Sequence, residues 1–322
     1  MRFLLDAEQR AFVASLDALL TAADTPAVIR DWAWGDHAGG RALWSRVADA
    51  GVFALAVPEA YEGLGPRPVE LAAAFVELGR HAVPGPLAET VVAAVLIEQA
   101  DPGTAKRLLP ALASGETMAT VAPEGAYALD GDAATLRISW EPGRIRLSPG
   151  HGPVHPSLDP ARRLTPLLPG GDLLTLTAPS AEAALTWARL VTAAQALGVG
   201  LALLDTTVGY VKQRTQFGVP VGSFQAVKHR LADARIALEF ARPLVFGAAL
   251  TMEPSDAAAA KAAACEAAYA CSRTALQLHG AIGYTAEYGL SLWLAKARAL
   301  RTAWGAPEEC RALVVSAGDR RR

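Results

Sequence analysis

Charge is scarce in this 322-residue chain: Asp, Glu, Lys and Arg make up 19% of it, against 52% hydrophobic residues. That balance excludes a disordered protein, which lacks the apolar surface needed to offset the entropy of ordering. A formal net charge of −2 offers no basic footprint for nucleic acid. Cysteine is scarcer still. Cys265, Cys271 and Cys310 have no metal-ligand spacing, and two of them sit in an Ala-rich helical stretch. Buried reduced thiols in an intracellular, cytoplasmic protein are the expectation. His229 and His279 have no acid or thiol cluster nearby in sequence, so neither a triad nor a metal site is expected. No signal-peptide cleavage pattern follows Met1–Asp6. The longest apolar run, Leu190 to Leu204, is shorter than the ~18 residues of a membrane span and reads as a bundle-core helix.

What the chain does have is a polar corner between two long Ala/Leu-rich segments, 181–213 and 223–250. Gly218 and Pro220 break the helical pattern, and Ser223 is the expected N-cap of the second helix. At the corner Arg214 presents a fork suited to phosphate or carboxylate, Phe217 a flat face, and Gln225 a first-turn amide. A basic helix end answering the macrodipole and a ligand-binding corner would both use such residues.

Before this corner the chain reads as helices and then as strands. Asp6 to Gln9 forms a capping box for a helix through about residue 22. Helices are expected near 40–50, 66–80, 87–99 and 103–112, with a break at Pro84-Gly85-Pro86. Between 118 and 179 prolines and glycines multiply, and Leu136–Trp140, Arg144–Leu147 and Leu173–Thr177 read as short strands. After Ser180, a candidate N-cap, come helices at 181–213, 223–250, 255–280 (N-cap Ser255) and 287–304, with a short tail helix past Pro307. A four-helix bundle is the economical packing.

Several of these stretches resemble one family. Arg214-x-x-Phe217-Gly218 followed by Gln225 resembles the R-x-x-F-G…Q signature of the flavin-dependent acyl-CoA dehydrogenases. Leu55 to Gly65 is similar to that family's AVPEEYGGLG loop, Glu77–Arg80 to its EELGR helix end, and Leu109–Glu116 to its LPALASGE. Leu158–Leu164 resembles its LDPTRRLA. Gln277-Leu-His279-Gly280-Ala281-Ile-Gly283-Tyr284-Thr285-Ala-Glu287 resembles Q-x-H-G-G-x-G-Y-T-x-E, with Ala281 in place of the second glycine.

The resemblance implies a mainly α fold with a small β-domain. An N-terminal helical domain would span 1–117, a reduced β-domain 118–179 and a C-terminal four-helix bundle 180–322. It implies FAD as cofactor, with Arg214, Phe217, Gln225, Gln277, Gly280, Gly283 and Thr285 gripping the dinucleotide where two protomers meet. The partners it implies are an acyl-CoA or other acyl-thioester, a second copy or a homologous subunit, and an electron-acceptor protein. Fatty acid or steroid side-chain metabolism would be the setting.

Two departures stand out. The family's TEP-x-x-GSD segment is reduced to Ala122-Pro123-Glu124-Gly125. Its catalytic glutamate, counted without gaps from Gln277, falls on Trp304, and the alternative base position beside the supporting Arg189 is Ala188. Dehydrogenating a thioester needs a group that removes a weakly acidic α-proton, so both customary seats of the base are empty. Arg189, the only charge between Glu182 and Asp205, faces either a pocket carbonyl or carboxylate, or a domain interface. Glu287 is expected to cap a helix. Three functions follow: a dehydrogenase with an atypical or partner-supplied base, a non-catalytic subunit completing a partner's flavin site, or a scaffold reused for another thioester reaction.

Overall fold

The computed structural model describes residues 4–141, 143–176 and 181–320. Met1 to Phe3, Thr177 and the candidate cap Ser180 lie outside the described residues. The N-terminal third is helical: α1 (Ala7–Thr21), α2 (Thr25–Trp34), α3 (Ala38–Asp49), α4 (Pro68–Arg80), α5 (Leu87–Glu98) and α6 (Pro102–Ala113). The capping box forms as read, with Gln9 N donating to Asp6 Oδ1 at 2.8 Å and Asp6 N to Gln9 Oε1 at 3.0 Å. Helix α2 was not anticipated. Its left-handed N-cap, Asp24, makes no side-chain cap, and two of its ten residues are tryptophans, so its start carries little local signal. Packing of Ile29 and Trp32 into the core holds it.

The middle of the chain forms β1 (Ala119–Pro123), β2 (Tyr127–Leu129), β3 (Leu136–Glu141), β4 (Arg144–Leu147), β5 (Leu164–Pro166) and β6 (Leu173–Thr175). One sheet has the order β1-β3-β4-β6, with β1 parallel to β3 and the other pairs antiparallel. A separate antiparallel pair joins β2 to β5.

Helix α7 (Ala181–Gln213) is followed by the two-residue strands β7 (Thr215–Gln216) and β8 (Val219–Pro220). Then come α8 (Gln225–Thr251), α9 (Pro254–His279), α10 (Leu290–Thr302) and α11 (Pro307–Arg320). Helix α7 is long and apolar enough to cross a membrane, but 89% of its most apolar window is buried inside the protein.

Two helix-end readings need correction. Phe224, not Ser223, is the N-cap of α8, because the Ser223 hydroxyl donates instead to Pro220 O at 2.7 Å. Glu253, not Ser255, is the N-cap of α9, where Pro254 takes the first helical position that suits a residue without an N–H. Gly280 ends α9 at φ 65° and ψ −140°, outside the αL conformation.

The parts lock together along α4 and α7. A Cβ on Gly79 would lie 2.0 Å from Gln195 O, and one on Gly198 would lie 1.9 Å from Val76 O. The two helix backbones are therefore in direct contact, a distance only glycine permits. From α10, Trp293 Nε1 donates to Arg80 O at 2.8 Å, tying the bundle to the end of α4. From α5, the Thr90 hydroxyl donates to Ala119 O at 2.9 Å, tying the helical domain to the sheet. Gly198→Ala should lower unfolding free energy in denaturant titrations by about 1–3 kcal/mol, the usual cost of overpacking. Gly209 lies on the same helix with nothing within 4 Å of its Cβ position, so Gly209→Ala should be neutral or stabilising by up to about 1 kcal/mol. Equal losses in the two variants would refute the close approach.

Candidate functional site

A cleft of about 450 Å³ opens where the three parts meet. Its sheet wall is Val121, Pro123, Tyr127, Leu129 and Trp140. Its helical wall is Glu89 of α5, Leu185 and Arg189 of α7, and the Ala303–Trp304–Gly305 turn after α10. A second cleft of about 440 Å³ shares Arg162, Leu164 and Ala303 with the first and adds Arg298, Arg301 and Tyr269.

The turn that carries Trp304 is built by a buried lysine. Lys261 Nζ donates to Leu300 O, Arg301 O and Gly305 O at 3.1, 3.1 and 3.0 Å. One cation thus satisfies the last carbonyls of α10 and answers its dipole. Trp304 sits beyond them at φ 58°, a left-handed conformation, followed by Gly305 at φ 121°. Its indole Nε1 donates to Glu89 Oε1 at 3.1 Å.

Glu89 is 4% exposed, in a helix turn that carries no other charge. Burial pushes its carboxyl above the usual range, and the positive charge of Arg162 works against that rise. Nearby, Asp130 is buried and pushed up to about 7 by desolvation, while Arg163 N donates to its Oδ1 at 3.1 Å. Lys296 of α10 is also buried, 3.7 Å from Asp159 Oδ2 and 3.3 Å from Val83 O, and burial lowers its pKa. The sequence reading missed Glu89. Its signal was a lone carboxylate in the run from Leu87 to Ile97, which has no other charge.

Arg189 is half-buried in the cleft wall. Its Nε is buried without a hydrogen-bond partner, and among the described residues the guanidinium makes no ion pair. Of its two readings, the structure supports the one that faces a pocket. Ala188 is fully buried in the core cluster, away from the lining of the cleft. Glu309 also lines the cleft, but it is exposed, and its Oε2 accepts from Ala306 N at 3.1 Å.

The helices that carry the two motif turns, α7 and α9, meet near those turns within one chain. Tyr210 of α7 stacks on His279 of α9 with centroids 4.3 Å apart, and its hydroxyl donates to His279 O at 3.3 Å. Arg214, one turn past Tyr210, therefore lies at the same end of the bundle as Gly280 to Thr285. Phe217 is 92% exposed at φ 54°, and Gly218 follows at φ 79°. Arg214, Gln225, Gln277, Gly280 and Thr285 are exposed, and Gly283 is buried against Leu276 and His279. The Thr285 hydroxyl donates to Ile282 O at 2.9 Å. Glu287 is exposed and caps nothing; the N-cap of α10 is Gly289, without a side-chain bond. His229 is exposed on α8, and all three cysteines are buried and free. This motif end is separated from the Trp304 cleft by the length of α10, 13 residues or about 20 Å.

Residues 6–116 match the model described as acyl-CoA dehydrogenase, N-terminal domain, and residues 178–317 match acyl-CoA dehydrogenase, C-terminal domain. Acyl-CoA dehydrogenase IpdE2 of Mycolicibacterium smegmatis is 32% identical over 272 residues, 83% of this chain and 85% of the relative. The chain belongs to the acyl-CoA dehydrogenase family.

Solved structures agree on the acyl-CoA dehydrogenase fold. PigA with FAD and proline superposes at a TM-score of 0.87 with 19% identity, covering 100% of both chains. A Tcur3481-Tcur3483 steroid ACAD variant superposes at 0.83 with 24% identity, over 97% of this chain and 99% of that one. At those identities the likeness shows the fold alone.

Arg189→Met should leave the thermal midpoint unchanged or raise it, because the variant removes a half-buried cation that has no ion-pair partner among the described residues. A fall of several degrees in scanning calorimetry would show that Arg189 is structural.

Proposed function

We propose that this chain takes part in FAD-dependent α,β-dehydrogenation of an acyl-thioester, with each flavin site built from two chains. The cleft at Trp304 takes the reacting end of the thioester. Arg214, Phe217, Gln225 and the Gln277–Thr285 turn of a neighbouring chain, a second copy or a homologous subunit, hold the rest of the dinucleotide. The separation of cleft and motif turns within one chain, with the motif turns open to solvent, carries this reading. Those turns fit the group: Arg214 is an exposed fork for a pyrophosphate, Phe217 an exposed face for a ring, and a Cβ at Gly218 or Gly280 would meet nothing within 4 Å. FAD, when bound, supplies the acceptor for hydride from the β-carbon. Arg189 and Arg162 would orient the thioester carbonyl, and the apolar sheet wall would exclude water from the reacting carbons. The division 1–117, 118–179 and 180–322 follows these roles. An electron-acceptor protein would reoxidise the flavin.

Trp304 and Ala188 at the customary base positions favour a second reading, in which the chain is a non-catalytic subunit completing a partner's flavin site. The paired designation of the steroid ACAD neighbour is in keeping with that arrangement. Flavin absorbance, measured on the chain alone and after co-expression with a homologous dehydrogenase, separates the two. Bound FAD bleached by an acyl-CoA supports the enzyme, and colour that appears only with the partner supports the subunit. In either case Arg214→Ala should lower FAD content at least tenfold without changing the melting temperature, since Arg214 is exposed. Undiminished FAD would overturn the assignment of that corner.

A further inference from the structure

We infer that Glu89 is the proton acceptor of the Trp304 cleft, positioned by the Trp304 indole. The inference rests on the dehydrogenase reading above and supplies the group that Trp304 and Ala188 lack. Glu89 lines the cleft beside Trp304 from the first turn of α5, a helix buried along nearly its whole length. The indole N–H fixes Oε1 at 3.1 Å. Among the described residues the Trp304 indole and Glu89's own backbone N–H are the donors acting on this carboxylate, which leaves it lone pairs with which to take a proton. The other acid lining the cleft, Glu309, is exposed and spends its Oε2 on Ala306 N.

The charged groups around Glu89 are Arg162 from the loop before β5, Lys296 from α10, Asp130 from the turn after β2, and Arg189 of α7 in the same helical wall of the cleft. Arg162 and Lys296 favour the carboxylate and burial opposes it, with burial the larger effect. A carboxylate made more basic in this way suits a weakly acidic carbon. In the step, the Cα–H bond breaks, its proton bonds to the Glu89 carboxylate, and its electron pair forms the Cα=Cβ bond. The β-hydrogen leaves with its own pair to the oxidant already named, the flavin.

Only the ionised form of Glu89 accepts a proton, so the rate should fall as pH drops through a pKa above the usual carboxylate range. The Trp304 N–H favours the ionised form. Trp304→Phe should therefore move the acid limb to higher pH, a shift that a merely structural tryptophan would not cause.

The test uses the FAD-loaded protein, with its partner if colour requires one, and butyryl-CoA and longer saturated acyl-CoAs as probes. Three quantities are read: flavin bleaching, exchange of the thioester α-hydrogens with D₂O by mass spectrometry, and the D₂O-sensitive infrared band of a protonated carboxyl. Glu89→Gln should keep FAD, lose that infrared band, and slow bleaching and α-exchange by about 10²–10⁴-fold, the usual contribution of a general base. Retention of both rates within a few-fold would overturn the inference while leaving the dehydrogenase reading intact. Failure of the unsubstituted protein to bleach with any of these thioesters, with or without a partner, would overturn both. If Glu89→Gln does not fold, Trp304→Phe decides, and an unmoved acid limb overturns the inference.

Discussion

The contact of bare backbone between α4 and α7 sets every other distance in this molecule. With Gly79 and Gly198 facing carbonyls of the opposite helix, α7 is seated against the N-terminal domain at one depth only. One end of that helix supplies Arg189 to the cleft, and the other supplies Tyr210 and the Arg214 corner. A shift of a methyl's width at the crossing would move both ends, because a helix transmits displacement along its axis with little bending. The ties from Trp293 to Arg80 O and from Lys296 to Val83 O then fix α10 relative to the same crossing. Cleft geometry is in this sense a property of two glycines that lie outside the cleft.

Regular elements with a strong local cause were legible in the sequence. The Asp6 capping box, the 33-residue α7 and the strands at 136–141 and 144–147 stand where periodicity and capping place them. Helix starts without a local cause were not. Ser223 and Ser255 are good N-cap residue types, but the chain spends the first hydroxyl on a turn carbonyl and lets Pro254 set the second start. Helix α2 depends on burial of Trp32 and Ile29 far more than on its own composition, so tertiary packing decides it. The motif turns were visible through their resemblance to the family's signatures, but their exposure was not.

Glu89 shows what sequence order hides. It becomes meaningful only when a tryptophan 215 positions later donates a hydrogen bond to it. No pattern in either stretch encodes that pairing. The buried ionisable groups around it, Asp130, Asp159 and Lys296, with the half-buried Arg162, are expensive in an interior and return little stability as pairs. Their concentration at one three-way junction, with an unpartnered Arg189 Nε beside them, is the pattern of a site held ready for a polar ligand rather than of a core selected for stability.

Lys261 gives the cleft an asymmetry. Three charge-assisted hydrogen bonds rivet the tryptophan-bearing turn to the middle of α9, and opening that wall would strip a buried ammonium of all of them at once. The opposite wall is the small sheet, tied to the helices at scattered points, Thr90 to Ala119, Arg41 to Ala133 O and Arg163 to Ala33 O. A guest in the cleft therefore lies against a helical wall whose turn is pinned at three carbonyls by a single ammonium.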